Sequence, residues 1–318
     1  MQQTKTNITG KDVLTWKDFT TEEIEQLLEQ ANLLKKKLKN NESHEWLKGK
    51  SLGMIFQNAS TRTRVSFEVG MTQLGGHALF LSGEDLQIGR GEPVEDTARA
   101  MSRYVDAIMI RANDHGMVQK LAEMSDVPVI NALTDLYHPC QALADALTIQ
   151  EQFGRLKGLN ITYVGDGNNV AHSLMIIAAK LGMNMTMATP QDYEGDADVW
   201  DAAQKQAEQT GATIRHVVDP ERAVSDAHII YTDVWTSMGA EKEQQSRLKI
   251  FEKYQVNDQL MAKAQPGAIF MHCLPAHRGE EVTASVLEGK QSVVFDQAEN
   301  RLHVQKAILT SVMEVPAT

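Results

Sequence analysis

Residues 51–76 read SLGMIFQNASTRTRVSFEVGMTQLGG. Leu52–Phe56 is an apolar run of strand length, and a loop of small polar residues follows it. From Arg62 to Leu74 the apolar residues recur at helical spacing. Val65 and Val69 share one face, Phe67, Met71 and Leu74 form the neighbouring stripe, and Gly75-Gly76 closes the helix. Strand, loop and helix in this order make the repeating unit of an α/β fold.

The same alternation runs outward along the chain. Further strands are expected at Ala107–Ile110, Val127–Ile130, Asn160–Val164, Met183–Ala188, Thr213–Val218, His228–Thr232, Ala268–Met271 and Val293–Phe295. Helices are expected at Thr21–Lys39, Val94–Tyr104, Gln141–Phe153, Ala171–Leu181, Val199–Gln209 and Val304–Met313. The pattern predicts mainly parallel sheets flanked by helices, in two domains divided near residues 140–155. On pattern alone the terminal helix could return to either half. No fixed-period repeat or low-complexity tract interrupts the order.

Composition narrows the function classes. The chain has 318 residues, 42% of them hydrophobic, enough for packed cores. No segment approaches the roughly eighteen apolar residues of a membrane span, and MQQTKTNITGKDVL does not read as a secretory leader, so the cytoplasm is expected. The two cysteines, Cys140 and Cys273, then have no reason to pair. His138, His272 and His277 lie near them in sequence, but a metal site is the weaker reading and none is expected. A net charge of −11 argues against nucleic acid, and any phosphate site must be assembled locally from arginines and backbone amides.

Parallel α/β sheets collect ligands beyond the carboxyl ends of their strands, and six such ends here carry polar or reactive residues. Ser60 and Thr61 suit a helix cap. Together with Thr63 and one arginine they offer an anion amides, hydroxyls and a planar fork. Arg62 and Arg64 project to opposite sides, so only one should reach it. A capped helix with two solvated arginines is the plain alternative. In the run Tyr137 to Gln141, His138 and Gln141 could donate to a carbonyl oxygen gaining charge, or His138 could simply cap its helix. Val164 to Val170, VGDGNNV, begins like a dinucleotide fingerprint but has valine where the third glycine belongs. Asp233 offers a carboxylate to an ammonium group, although D-x-W could be only a loop anchored by Trp235. Gly239 and the polar residues after it suggest a mobile loop. Cys273, in HCLPAHRGEE, could be a buried inert thiol.

Taken in order, STRTR with SFE, HPCQ, GDGNN, DVWTSMG and HCLPAHRGEE resemble the signatures of the aspartate/ornithine carbamoyltransferases, on the ornithine branch. The resemblance runs from Leu52 to Arg301. It implies a carbamoyl phosphate domain at 1–148, joined by the terminal helix 302–318, and an ornithine domain at 149–301, with the active site at the strand ends between them. It implies carbamoyl phosphate contacts from Ser60, Thr61, Arg62, Thr63, Gln87, Arg111, His138, Pro139, Cys140, Gln141, Cys273, Leu274 and Arg301. Ornithine contacts fall to Asn169, Asp233, Ser237 and Met238, and catalytic roles to Arg111, His138 and Cys273. The implied reaction gives L-citrulline and phosphate, with carbamoyl phosphate binding first, no metal or organic cofactor, and a homotrimer or a multiple of trimers. Three rivals stand against it. Transfer to another amine such as putrescine is disfavoured by Asp233 and SMG. A dinucleotide-dependent oxidoreductase is disfavoured by the missing glycine. A non-catalytic homologue is disfavoured by the presence of Arg62, His138 and Cys273.

Overall fold

The computed structural model describes residues 8–236 and 241–313. The chain forms two compact units, residues 1–147 with 299–318, and residues 148–298.

The first unit opens with α1 (Thr21–Lys39), whose start is set by a capping box. The Thr20 hydroxyl accepts from the Glu23 amide while the Glu23 carboxylate accepts from the Thr20 amide, which satisfies two amides the helix cannot use itself. Acidic residues at its start and lysines at its end complement the helix dipole. Ile24, Leu27, Leu28, Ala31 and Leu34 form the buried stripe. Next come β1 (Ser51–Phe56), α2 (Thr61–Gln73), β2 (His77–Ser82), α3 (Val94–Met101), β3 (Ala107–Arg111), α4 (His115–Met124) and β4 (Val129–Leu133). The strands pair in the order β2-β1-β3-β4, all parallel.

The second unit takes over within α5 (Pro139–Phe153). It contains β5 (Asn160–Val164), α6 (Asn169–Lys180), β6 (Asn184–Ala188), α7 (Ala197–Thr210), β7 (Ile214–His216), α8 (Pro220–Ala223), β8 (Ile229–Thr232), α9 (Gln244–Phe251), α10 (Asp258–Met261), β9 (Ile269–His272) and α11 (Ala284–Leu287). Its sheet runs β7-β6-β5-β8-β9, again all parallel. The chain then enters α12 (Val294–Val312), whose residues from Glu299 belong to the first unit. In each sheet the strand order reverses beside one strand, β1 in the first and β5 in the second. Such a reversal opens a crevice at the carboxyl end of the sheet.

Several expectations are corrected. Val293–Phe295 is not a strand: Ser292 makes a single bridge to Phe270, and the helix starts at Val294, ten residues before its expected start. Pro128 has no amide to give a ladder, so the strand expected at Val127 begins at Val129. Among the named elements, β2, α4 and the short helices α8 to α11 were not foreseen. β2 is an edge strand whose Leu79 and Phe80 are 39% and 38% exposed, so it lacks a buried alternating face. α4 is short and owes its start to the Asp114 side chain, which accepts from the amides of Gly116 and Met117. Among the described residues no helix is long and apolar enough to cross a membrane.

If the capping box sets the start of α1, Thr20→Ala should destabilise the protein by about 1 kcal/mol, the usual cost of losing such a cap. Urea unfolding would show this as a lower midpoint with an unchanged slope.

Candidate active site

In the first unit the loop after β1 ends at Ser60, the N-cap of α2, whose hydroxyl accepts from the Thr63 amide at 3.3 Å. Amides at the start of α2 are thereby aimed beyond the strand ends. Thr61 and Arg62 follow on the first turn. Arg64 points elsewhere: its guanidinium pairs with Glu68 at 2.9 Å and lies 3.7 Å from the centroid of the Phe80 ring. Of the two apolar stripes on α2, Phe67 and Met71 are buried while Val65 stays 51% exposed.

His138 is buried just before α5. Its pKa is held well below the ordinary histidine value, first by burial and then by the positive charges of Arg301, Arg111 and Arg62. The imidazole is thus neutral and surrounded by guanidinium charge, which suits a hydrogen-bond donor to an oxygen becoming negative. Arg111 ends β3. Arg301 donates to Gln141 Oε1 at 2.8 Å and to Thr63 Oγ1 at 3.3 Å, tying α2 to α5. Gln141 also donates to Asp145 Oδ1 at 2.8 Å, so both ends of its amide take part in the scaffold. Cys140 is fully buried with its sulfur toward the Asn131 carbonyl, and burial pushes its thiol up to about 11. The Pro139 carbonyl accepts from the Trp16 indole at 2.8 Å. Gln87 stands exposed on a 3-10 turn beyond β2 and takes no part in these bonds.

In the second unit the centre is the buried carboxylate of Asp233, just past β8. Its Oδ2 accepts from Asn168 Nδ2 at 2.7 Å and its Oδ1 from the Cys273 thiol at 3.0 Å. Asn168 is the N-cap of α6, and its Oδ1 accepts from the amides of Val170 and Ala171 and from the Tyr163 hydroxyl. With the oxygen so occupied, the amide can only turn its NH2 toward Asp233. Asn169, expected as the ligand contact, is the buried first residue of α6. Leu274 follows Cys273 in a left-handed conformation, with φ of 60°. Ser237 and Met238 lie outside the described residues.

The two glycines of the GDG turn have local explanations. Gly165 has φ of 138°, where a side chain is strained, and a Cβ on Gly167 would fall 2.4 Å from the backbone of Glu194. Neither needs a pyrophosphate nearby. Between them Asp166 meets Arg247 of α9 at 2.7 Å, and the same guanidinium nitrogen donates to the Trp235 carbonyl at 2.9 Å. Burial outweighs the attraction of Arg247 and raises Asp166 to about 6. Asp233, His272 and Cys273 bring possible ligand atoms within 4.8 Å of one another, as do His277, Glu280 and Glu281. In the first group the His272 ring and the Cys273 thiol already hydrogen-bond within the protein.

Sequence reasoning missed Asn168, Arg247 and Glu281. The position of Asn168 at the head of a helix was a usable signal. Arg247 stands among polar residues and is recruited only by folding.

The low pKa of His138 fixes a direction for acid sensitivity. Its folded-state pKa lies below that of the unfolded chain, so stability falls as pH drops below about 6.5, by at most about 1.4 kcal/mol per pH unit for one proton. Urea midpoints should therefore decline more steeply from pH 7 to 5.5 in the wild type than in His138→Gln.

Comparison with known proteins matches both units to one family. Residues 11–151 match the carbamoyl-P binding domain of aspartate/ornithine carbamoyltransferase, and residues 157–312 match its Asp/Orn binding domain. The ornithine carbamoyltransferase of Halalkalibacterium halodurans is 62% identical over 307 residues, 96% of each chain. An anabolic ornithine carbamoyltransferase of Pyrococcus furiosus is 56% identical over 96% of this chain and 98% of its own. The solved structure of ornithine carbamoyltransferase from Pyrococcus furiosus superposes with a TM-score of 0.94 at 56% identity, covering 96% of this chain and 98% of that one. With two successive domain models matched in order and relatives this similar along almost the full length, the chain belongs to the aspartate/ornithine carbamoyltransferase family.

Proposed function

We propose that the chain transfers the carbamoyl group of carbamoyl phosphate to the side-chain amine of L-ornithine, giving L-citrulline and phosphate. The observation that carries the choice of acceptor is the Asp233 carboxylate, buried and braced by Asn168 and Cys273. It offers a fixed anion to the α-ammonium of an amino acid. Relatives at 62% and 56% identity bear the name ornithine carbamoyltransferase, and the anabolic label of one of them supports a place in arginine biosynthesis.

The reaction needs a neutral amine, a polarised carbonyl and a stabilised leaving phosphate. Ser60, Thr61, Arg62 and Thr63, with the first amides of α2, hold the phosphate. Arg111 and neutral His138 donate to the carbonyl oxygen, joined by the Thr63 hydroxyl. The ornithine nitrogen attacks the carbonyl carbon, and the carbon–oxygen bond to phosphate breaks as the carbon–nitrogen bond is kept. A phosphate oxygen takes the proton released by the amine. Holding two substrates in register removes much of the entropic barrier to joining them. Asp233 takes the α-ammonium, Asn169 with Ser237 and Met238 the α-carboxylate, and Cys273 with Leu274 borders the reacting groups. Arg301 contributes charge and holds Thr63 and Gln141 in place. No step calls on a metal or organic cofactor.

The cytoplasm and a trimeric assembly belong to the same reading. Val65, Val69, Leu79 and Phe80, each more than a third exposed on neighbouring elements α2 and β2, give the first unit an apolar surface suited to another copy of the chain.

Two outcomes are expected. Arg62→Gly should weaken carbamoyl phosphate binding by roughly a hundredfold or more, since the charged fork is lost, and lysine should rescue it poorly. Arg64→Gly, removing the Glu68 pair and the Phe80 contact, should act on stability instead; calorimetric titration of both variants with carbamoyl phosphate compares them. The wild type should carbamoylate L-ornithine roughly hundreds of times more efficiently than putrescine, because putrescine lacks the α-carboxylate and leaves the donors assigned to it unpaired, at a cost of several kcal/mol. Asp233→Asn should remove most ornithine activity and spare carbamoyl phosphate binding. Comparable ureido product from both amines in the unmodified protein would overturn ornithine as the substrate.

A further inference from the structure

Helix α2 carries its charges against its own dipole. Arg62 and Arg64 stand in the first turn, where there is no acid, and no basic residue stands in the last turn. A helix favours anions at its start and cations at its end. The cation for the far end comes from another element. Lys306 of α12 donates to Oε1 of Gln73, the last residue of α2, at 2.8 Å.

Lys306 is 0% exposed, and its ammonium also meets His44 Nε2 at 3.2 Å, on the loop after α1. His44 Nδ1 lies 2.9 Å from the Glu42 carbonyl, which can only accept, so Nδ1 carries the proton and Nε2 is bare. The ammonium therefore donates to two neutral acceptors, and among the described residues no carboxylate joins them. The same loop is tied to the end of α2, where the Leu47 amide donates to the Leu74 carbonyl at 2.8 Å. Gly70 leaves the lysine stem its path: a Cβ there would fall 3.4 Å from Lys306 Cγ and 3.7 Å from Leu302 Cδ1.

Core packing is a poor reason for this lysine. A buried cation loses its hydration, and an apolar residue of similar length would fill the space without that loss. Burial lowers its pKa to about 8. What the ammonium supplies is a fixed end for α2. Near the other end Arg301, also on α12, donates to Thr63 Oγ1 at 3.3 Å. One helix thus holds the other at its first and last turns.

We propose that Lys306 is a positioning residue of the phosphate site: braced by His44, it anchors the end of α2 through Gln73, and α2 so anchored keeps its first amides and Arg62 aimed at the anion. The inference rests on the assignment of the α2 start to carbamoyl phosphate. It gives Lys306 no contact with substrate.

The test compares full-length Lys306→Met, Gln73→Leu and Gln73→Glu with the wild type. Lys306→Met keeps the length and removes the charge, while Gln73→Glu keeps an acceptor that Gln73→Leu lacks. Titration calorimetry gives the Kd for carbamoyl phosphate, and steady-state assays give the ornithine KM at saturating carbamoyl phosphate. At about pH 7, Lys306→Met and Gln73→Leu should each raise the Kd about fivefold or more, with the ornithine KM within about twofold. Gln73→Glu should stay within about twofold of wild type on both measures.

The pH profile of the Kd separates positioning from packing. Of titratable groups, the described residues place only His44 against this ammonium, and α2 offers Gln73 and Gly70 there. Burial, with the Lys306 and Lys37 charges added, holds His44 below the ordinary histidine value, so it stays neutral at alkaline pH. The phosphate is already a dianion above about pH 7. As pH rises through about 8, Lys306 loses its charge, and the wild-type Kd should rise about threefold or more by about pH 9.5. The Kd of Lys306→Met should be nearly flat over that range.

A folded Lys306→Met with an unchanged Kd would overturn the proposal. So would a weakened one that keeps the wild-type pH dependence, because the charge would then have no part in binding. A Gln73→Leu that binds as the wild type does, or a Gln73→Glu as weak as Gln73→Leu, overturns it as well. Should Lys306→Met fail to fold, the Gln73 pair and the wild-type pH profile decide by the same limits. A wild type that binds no carbamoyl phosphate would overturn the phosphate-site reading and this inference together, whereas a wild type that binds it with unaffected variants sinks the inference alone.

Discussion

Positive charges do not gather in one place unless something else holds them there, and this chain with net charge −11 gathers three around one imidazole. Arg62, Arg111 and Arg301 come from the start of α2, the end of β3 and the body of α12, which are far apart in sequence. Their mutual repulsion is borne by the scaffold. Thr63 and Gln141 accept from Arg301, and Asp145 in turn accepts from Gln141. Burial of His138 completes the arrangement by denying it a proton, so that it remains a neutral donor among cations. On the proposed reading, an oxygen that becomes negative during reaction would enter a field already directed at it, with little reorganisation left to do.

The second unit solves the opposite problem, a buried anion. Asp233 is kept by donors that are themselves fixed: Asn168 by two helix amides and a tyrosine hydroxyl, Cys273 by the bond that the next amide, Leu274, makes to the His272 ring. Each layer removes a rotational choice from the one in front of it. Precision at the carboxylate thus derives from residues that never need to touch a substrate. The Arg247–Asp166 pair has the same character, fixing the turn that carries Asn168 from the side of α9.

The two units share a way of making sites. Both sheets are wholly parallel, so every strand delivers its following loop to the same edge. In each, the richest loop follows the strand beside which the order reverses, β1 with its Ser60 cap and β5 with its Asn168 cap. Helix caps therefore do double duty, ending the loop and aiming polar groups at the open edge.

Local pattern by itself determined the α/β class, most helices and the ordered signatures, because strand runs, caps and glycine stops are short-range properties of the chain. It also placed the polar residues at strand ends, and its resemblance to a carbamoyltransferase family agrees with the domain models matched to both halves. It misplaced Val293–Phe295, since an apolar run of three residues is compatible with a strand or with the first turn of a helix, and only packing chooses. It overlooked β2, whose half-exposed edge position carries no alternation to read. Tertiary structure alone decided what each candidate's atoms are occupied with: that Gln141 holds Arg301, that Cys140 is sealed in the core, that Asn168 faces Asp233, and that Glu281 stands behind Cys273. Those assignments depend on hydrogen bonds between residues distant along the chain, and a donor's partner is fixed by where folding brings the acceptor rather than by either residue's neighbours in sequence.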